Sequence, residues 1–199
     1  MCSFGQFSCE ALPKNVTVHT PVNCYELFPL SFTTGKEVAA TTAQVSNMNY
    51  EIVTLEEKTV AGLIARTNNA APDMGQVIGG LWQQFYANGV HAQIPNKKNE
   101  KALGIYTDYE ENENADYTVM VATEIADTNT LPDGVVKRVI PAGNYAKFVV
   151  KGHMQKAVAQ FWQKLWQMDL PRAYSYDFEE YQNGDMEHAE IHIYISLTK

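Results

Sequence analysis

Ala173 to Lys199 reads AYSYDFEEYQNGDMEHAEIHIYISLTK. Tyr174, Tyr176 and Phe178 alternate with polar residues, and Ile191, Ile193, Ile195 and Leu197 do the same after Asn183-Gly184-Asp185, so the stretch predicts two strands joined by a turn. Opposite the apolar face of the last strand stand Glu190, His192, Tyr194 and Ser196, and the strand before it carries Asp177, Glu179 and Glu180. A hairpin that sets acids beside tyrosines is either a solvated sheet face or the floor of a pocket for a cation. Strict alternation groups Glu179 with Asp177 and Tyr181, and Glu180 with Tyr176 and Phe178; a bulge or a register slip would exchange the two.

Working outward from that hairpin, one order of elements is met twice. Tyr50 to Leu55 and Thr59 to Arg66 predict a hairpin around Glu56-Glu57-Lys58. After Asp73, a candidate N-cap, Met74, Val77, Ile78, Leu81, Trp82, Phe85 and Tyr86 form one apolar helical face, closed by Asn88-Gly89. Strands over Leu103 to Tyr109 and Tyr117 to Ile125 follow, and Leu131-Pro132-Asp133-Gly134 marks a boundary. Beyond it, Val135 to Ile140 and Asn144 to Lys151 predict a second hairpin around Pro141-Ala142-Gly143. The helix from His153 to Asp169 then places Met154, Ala157, Val158, Phe161, Trp162, Leu165 and Trp166 each 80 positions after its counterpart in the first helix. The expectation is an α+β fold: tandem β-β-α-β-β repeats (48–126 and 134–199) related by a pseudo-twofold, joined in one antiparallel sheet with both main helices on one face. The strands alternate rather than being apolar throughout, which leaves the second face to water or a ligand.

Composition narrows the function classes. The 199 residues are 45% hydrophobic, enough for a packed core, with a formal net charge of -8. That charge, and the absence of a dense basic stripe, argue against a nucleic-acid surface; the cluster Lys97, Lys98 and Lys101 contains Glu100 and reads as solvated. Cys2, Cys9 and Cys24 all fall near the start, without a second pair at zinc-like spacing. His188 and His192 lie on or beside a strand, where four residues span about 13 Å, too far to share an ion. No metal or cofactor is expected. No stretch approaches the roughly 20 apolar residues of a membrane span, and the first residues lack the regions of a signal peptide, so a cytoplasmic protein is expected. Residues 1–47 carry few charges and no helical apolar period beyond short extended pieces at Val16 to His19 and Leu27 to Phe32; they read as an extension of unknown role ahead of a domain over 48–199. No helix-turn-helix is visible in them. An exposed edge strand would permit a homodimer.

Phe178-Glu179-Glu180-Tyr181 and Glu190-Ile191-His192-Ile193-Tyr194-Ile195, with their order and distance from the C-terminus, resemble the end of the GyrI-like family. That family includes the effector-binding domains of AraC-type and MerR-type multidrug regulators. The resemblance, from about Met48 onward, implies a ligand cleft between the two halves. It implies a role for Glu179 as the carboxylate that meets cationic, lipophilic or planar aromatic ligands, with Glu180 and Glu190 as further candidates. Tyr145, in Pro141-Ala142-Gly143-Asn144-Tyr145-Ala146, resembles the family's P-x-G-x-Y-A segment, and Tyr106, Tyr194 and Trp82 are candidate aromatic walls. Trp82 and Trp162 read first as helix-face packing. Without a DNA-binding module, the resemblance implies a free-standing binding protein. It also allows a hydrolase of cyclopropane-containing DNA-alkylating natural products, with Glu179 activating water and Tyr145 as donor, or an inhibitor of DNA gyrase acting through an outer surface.

Overall fold

The computed structural model describes residues 48–128 and 130–198, so the three cysteines and the extended pieces expected before Met48 lie outside the described residues. The chain runs β1 (Glu51–Leu55), β2 (Lys58–Thr67), α1 (Met74–Tyr86), α2 (Val90–Gln93), β3 (Lys97–Thr107), β4 (Tyr117–Ile125), β5 (Val136–Ile140), β6 (Gly143–Gly152), α3 (Met154–Leu165), β7 (Tyr176–Tyr181) and β8 (Ala189–Ser196). The order β-β-α-β-β thus occurs twice, with the single turn α2 added in the first half. All eight strands join one antiparallel sheet in the order β1-β6-β8-β7-β3-β4-β2-β5.

Two expected hairpins do not form. β1 pairs with β6, from Glu51 opposite Lys147 to Leu55 opposite Gly143, and β2 pairs with β4 and β5. β5 likewise leaves its successor β6 and pairs with β2. Each half therefore lends its first strand to the other. Turn residues report where the chain bends, whereas partner choice is decided by contacts far away in sequence. Only Glu56 and Glu57 separate β1 from β2, and only Pro141 and Ala142 separate β5 from β6. A three-peptide step spans roughly 11 Å at most, so the two edges of the sheet are drawn toward each other and the sheet curls.

The curl decides what the helix-free face meets. Val60, Leu103, Ile105, Met120, Ala122, Ile140, Tyr145, Phe178 and Tyr194 form one core there, joined by Val53 and Leu55 of β1 and Val136 of β5. That face packs against itself, which corrects the expectation that it would meet water or a ligand. On the other face, α1 packs Leu81 and Phe85 over Ala61, Leu63, Val119, Val121 and Ile125. Helix α3 packs Phe161 and Leu165 over Ala146, Phe148, Ile191, Ile193 and Ile195. Among the described residues no helix is long and apolar enough to cross a membrane.

The lysines read as solvated are paired: Lys98 with Glu124 at 3.0 Å, and Lys101 with Glu180 at 2.9 Å. Lys58 also reaches Glu180, at 3.2 Å. Burial pushes the Glu180 carboxyl up, but hydrogen bonds from Gln182 and Lys101 and the charges of both lysines outweigh it and hold the group at about 2. A depressed folded-state value contributes stability above the ordinary carboxylate range that is lost as pH falls toward 2. With screening at the partly exposed Lys101 discounted, this is roughly 2 kcal/mol. Urea denaturation at pH 5 and pH 2.5 should show that loss in the natural protein and a much smaller one in Glu180→Gln.

Candidate functional site

The two long helices leave a gap over the middle of the sheet, and strict alternation along β7 points Glu179 and Tyr181 into it while Phe178 goes to the opposite core. The gap is a cavity of about 260 Å3. Its α1 wall carries Met74, Ile78 and Trp82, with Gly75 and Gly79 leaving space between them; its α3 wall carries Met154, Val158, Ala159, Trp162 and Trp166. Tyr106, Tyr117, Glu179 and Tyr181 line it from the sheet. Met154 to Trp166 spans about 18 Å of helix, so the cavity is a trough rather than a round hole.

Glu179 is 2% exposed. Its Oε1 accepts the Trp162 indole N–H at 2.7 Å and the Tyr106 hydroxyl at 3.1 Å, and its Oε2 accepts the Tyr181 hydroxyl at 2.7 Å. Burial pushes the carboxyl up, and the three donors pull the other way without cancelling that push. The acids on either side, Asp177 and Glu180, are ion-paired, whereas the three donors to Glu179 are neutral. Trp82 meets Tyr181 edge-on at 5.1 Å, and Trp162 meets Tyr106 edge-on at 5.0 Å. The carboxylate is thus held within four rings, two of them contributed by the helices.

Room for the carboxylate comes from Gly104, which stands opposite Glu179 in the β3–β7 register. A Cβ there would lie 3.0 Å from Glu179 Oε2 and 3.5 Å from Trp82 Cζ2. Gly104→Val is expected to push both groups aside and to destabilise the fold by roughly 1–3 kcal/mol, the usual cost of overpacking. A shift of the tryptophan emission together with the urea midpoint reads this, and an unchanged spectrum would contradict it.

The trough ends in a polar network. Arg172 Nη2 donates to Asp177 Oδ2 at 2.8 Å, and Nη1 reaches Glu113 Oε2 at 3.5 Å. The guanidinium carbon stands 4.3 Å over the Tyr174 ring. Asp177 also accepts the Tyr109 hydroxyl at 3.1 Å and, on Oδ1, the Ser196 N–H at 2.8 Å and its hydroxyl at 3.0 Å. Burial lowers the Arg172 guanidinium, but the Asp177 charge and hydrogen bond outweigh it and raise the group.

Of the residues singled out in the sequence, Glu179, Tyr106 and Trp82 line the cavity. The other four do not. Glu180 is on the opposite face with its lysines. Tyr194 stacks on Phe178 at 4.6 Å in the inner core, and Tyr145, edge-on to the same ring, donates its hydroxyl to Pro141 O at 2.9 Å. Glu190 stands at the surface with Lys151 at 2.8 Å and His192 at 3.1 Å. The reason is the pleat. Even-numbered residues of β7 and β8 point away from the helices, and at β6 the register sets Tyr145 opposite Ser196. Glu179 and Tyr145 therefore lie on opposite faces, and the pair invoked for hydrolysis does not assemble. Sequence reasoning passed over Trp162, Tyr181 and Arg172. Tyr181 was findable two residues beyond Glu179 on the same face, and Trp162 as the 80-residue counterpart of Trp82; Arg172, in the connection before β7, had no periodic signal.

A model of the family "Cass2: Integron-associated effector binding protein" matches residues 51–197. The chain belongs to the Cass2 family. The chain thus has the GyrI-like effector-binding fold that Phe178-Glu179-Glu180-Tyr181 pointed to. A putative transcriptional regulator protein, YobU of Bacillus subtilis (strain 168), is 30% identical over 155 residues, covering 74% of this chain and 97% of that protein. The integron cassette protein VCH_CASS2 from the mobile metagenome of Vibrio cholerae is similar in structure, with a TM-score of 0.63 and 27% identity over 75% of this chain and 95% of that one. SAV2435, solved bound to tetraphenylphosphonium, shares the fold with a TM-score of 0.60 and 22% identity, over 75% of this chain and 94% of that one.

Proposed function

We propose that the trough takes up small lipophilic cations, among them planar aromatic ones, and that Glu179 is their counter-charge. The observation that carries this reading is a buried carboxylate among rings, held by three neutral donors. Such a group is costly while ionised and alone, and becomes favourable when a cation shares the low-dielectric site. The ring faces of Trp82, Trp162 and Tyr106 supply further attraction for positive charge and apolar area for a lipophilic body. Effector binding by the Cass2 family and the tetraphenylphosphonium held by SAV2435 support it.

The pH dependence follows from the raised carboxyl. Burial pushes the Glu179 carboxyl up in the empty protein; a cation favours the ionised form, so binding expels the proton wherever the carboxyl carries one. Affinity for tetraphenylphosphonium should rise as pH rises through the carboxyl's folded value. Without ligand the sign for stability is opposite: a raised carboxyl contributes stability at low pH that is lost as pH climbs past it. Calorimetric titrations at pH 5 and pH 8 in buffers of different ionisation heat test the reading. Tighter binding at pH 8, with proton release at pH 5, is expected; absence of binding at both would overturn it.

A further inference from the structure

Resting on that reading, we propose that the Arg172 end of the trough is a subsite for a neutral hydrogen-bond acceptor, so that the favoured ligands carry a ketone, ester or amide carbonyl at a distance from their charge. Arg172 lines the cavity, and its side chain is 5% exposed. Its Nε is buried and has no hydrogen-bond partner among the described residues. A buried donor left in that state is costly, and a ligand oxygen placed on it recovers the loss. The guanidinium is also held in place for the task. A bridge between Arg172 and Leu197 pins the backbone, Asp177 and Glu113 take Nη2 and Nη1, and the Tyr174 ring lies 4.3 Å from the guanidinium carbon.

The same neighbours decide the charge of the acceptor. Asp177 and Glu113 already offset the single positive charge of Arg172, so a carboxylate or phosphate would meet repulsion where a carbonyl oxygen would not. Other donors around the cavity are committed or face water. Trp162, Tyr106 and Tyr181 donate to Glu179, the Tyr117 hydroxyl donates to Asn69, and the Asn69 amide donates to Glu113 O. Gln163 is exposed and Gln155 half-buried. Arg172 is bound to Asp177, which stands two residues, about 7 Å, from Glu179 along β7. A ligand that meets both groups has its carbonyl about that far from its charge.

The test compares (4-benzoylbenzyl)trimethylammonium with (4-benzylbenzyl)trimethylammonium by calorimetry at pH 8. The pair differs only in a ketone for a methylene, and burial alone favours the methylene compound because a carbonyl must give up its water. The natural protein is expected to prefer the ketone at least ~5-fold. The pair is also measured in the double variant Arg172→Met with Asp177→Asn, which strands neither charge and leaves the net charge of the site unchanged; there the preference should fall below ~2-fold. A smaller preference in the natural protein, or one the double variant retains, overturns the inference. If the double variant binds neither compound, a crystal structure of the natural protein with the ketone decides: its oxygen within about 3.2 Å of Arg172 Nε supports the subsite, and an oxygen on an amide of Asn69, Gln155 or Gln163 overturns it. Equal binding of the two compounds sinks this inference alone; no binding of either sinks the proposed function with it.

Discussion

Glu179→Gln is expected to weaken tetraphenylphosphonium binding about 100-fold at pH 8 and to abolish the pH dependence of what remains. The substitution keeps shape and volume and removes the charge, so the loss reads electrostatics rather than packing. A hundredfold is about 2.7 kcal/mol, in the range for a charge that meets its counter-ion in a partly desolvated site. At Glu179 the donors are neutral, so none is left as an unpaired ion in the variant. The free protein should therefore be as stable or slightly more stable at neutral pH, because burial had penalised the ionised carboxylate. A variant that is strongly destabilised, or that binds the cation as before, would contradict the role given to this side chain.

Arg172→Met is expected to be the most destabilising of the substitutions discussed. Asp177 is 0% exposed, and the Arg172 side chain is 5% exposed. Breaking a buried pair by removing one partner costs ~3–5 kcal/mol, because the remaining charge stays buried without compensation. For a chain of this size that corresponds to a fall of roughly 10 °C in the melting midpoint. The double variant Arg172→Met with Asp177→Asn should recover much of the loss, since neither charge is then stranded. Thermal unfolding of the three variants measures this; a single variant within ~1 kcal/mol of the natural protein would show that Tyr109 and Ser196 suffice to hold Asp177.

These two side chains differ in how far the sequence announced them. Glu179 was singled out by the resemblance of Phe178-Glu179-Glu180-Tyr181 to the family's strand; alternation alone left it exchangeable with Glu180, and the pleat runs without a bulge in β7, which puts it on the face of Tyr181. The helices were legible from periodicity: Leu81, Phe85, Phe161 and Leu165 recur at helical spacing and are the residues each helix buries. What local pattern could not supply was partner choice between distant strands. The turn at Glu56-Glu57 reads as a hairpin, yet β1 goes to β6. From that crossing follow the curl of the sheet, the closed inner core, and the placement of Tyr145, Tyr194 and Glu180 away from the helices. Periodicity reads Trp82 and Trp162 first as packing, with Trp82 also a candidate wall; each packs against a tyrosine and lines the cavity at once.

Position is the most direct test of the central claim that the trough between α1 and α3 is a cation site built on Glu179. A crystal structure grown with tetraphenylphosphonium at pH 8 measures it. The account predicts the phosphorus between Trp82 and Trp162, over the Glu179 carboxylate, with the Trp162, Tyr106 and Tyr181 hydrogen bonds to that carboxylate retained. Density for the cation at an outer surface, with the trough empty, would contradict it.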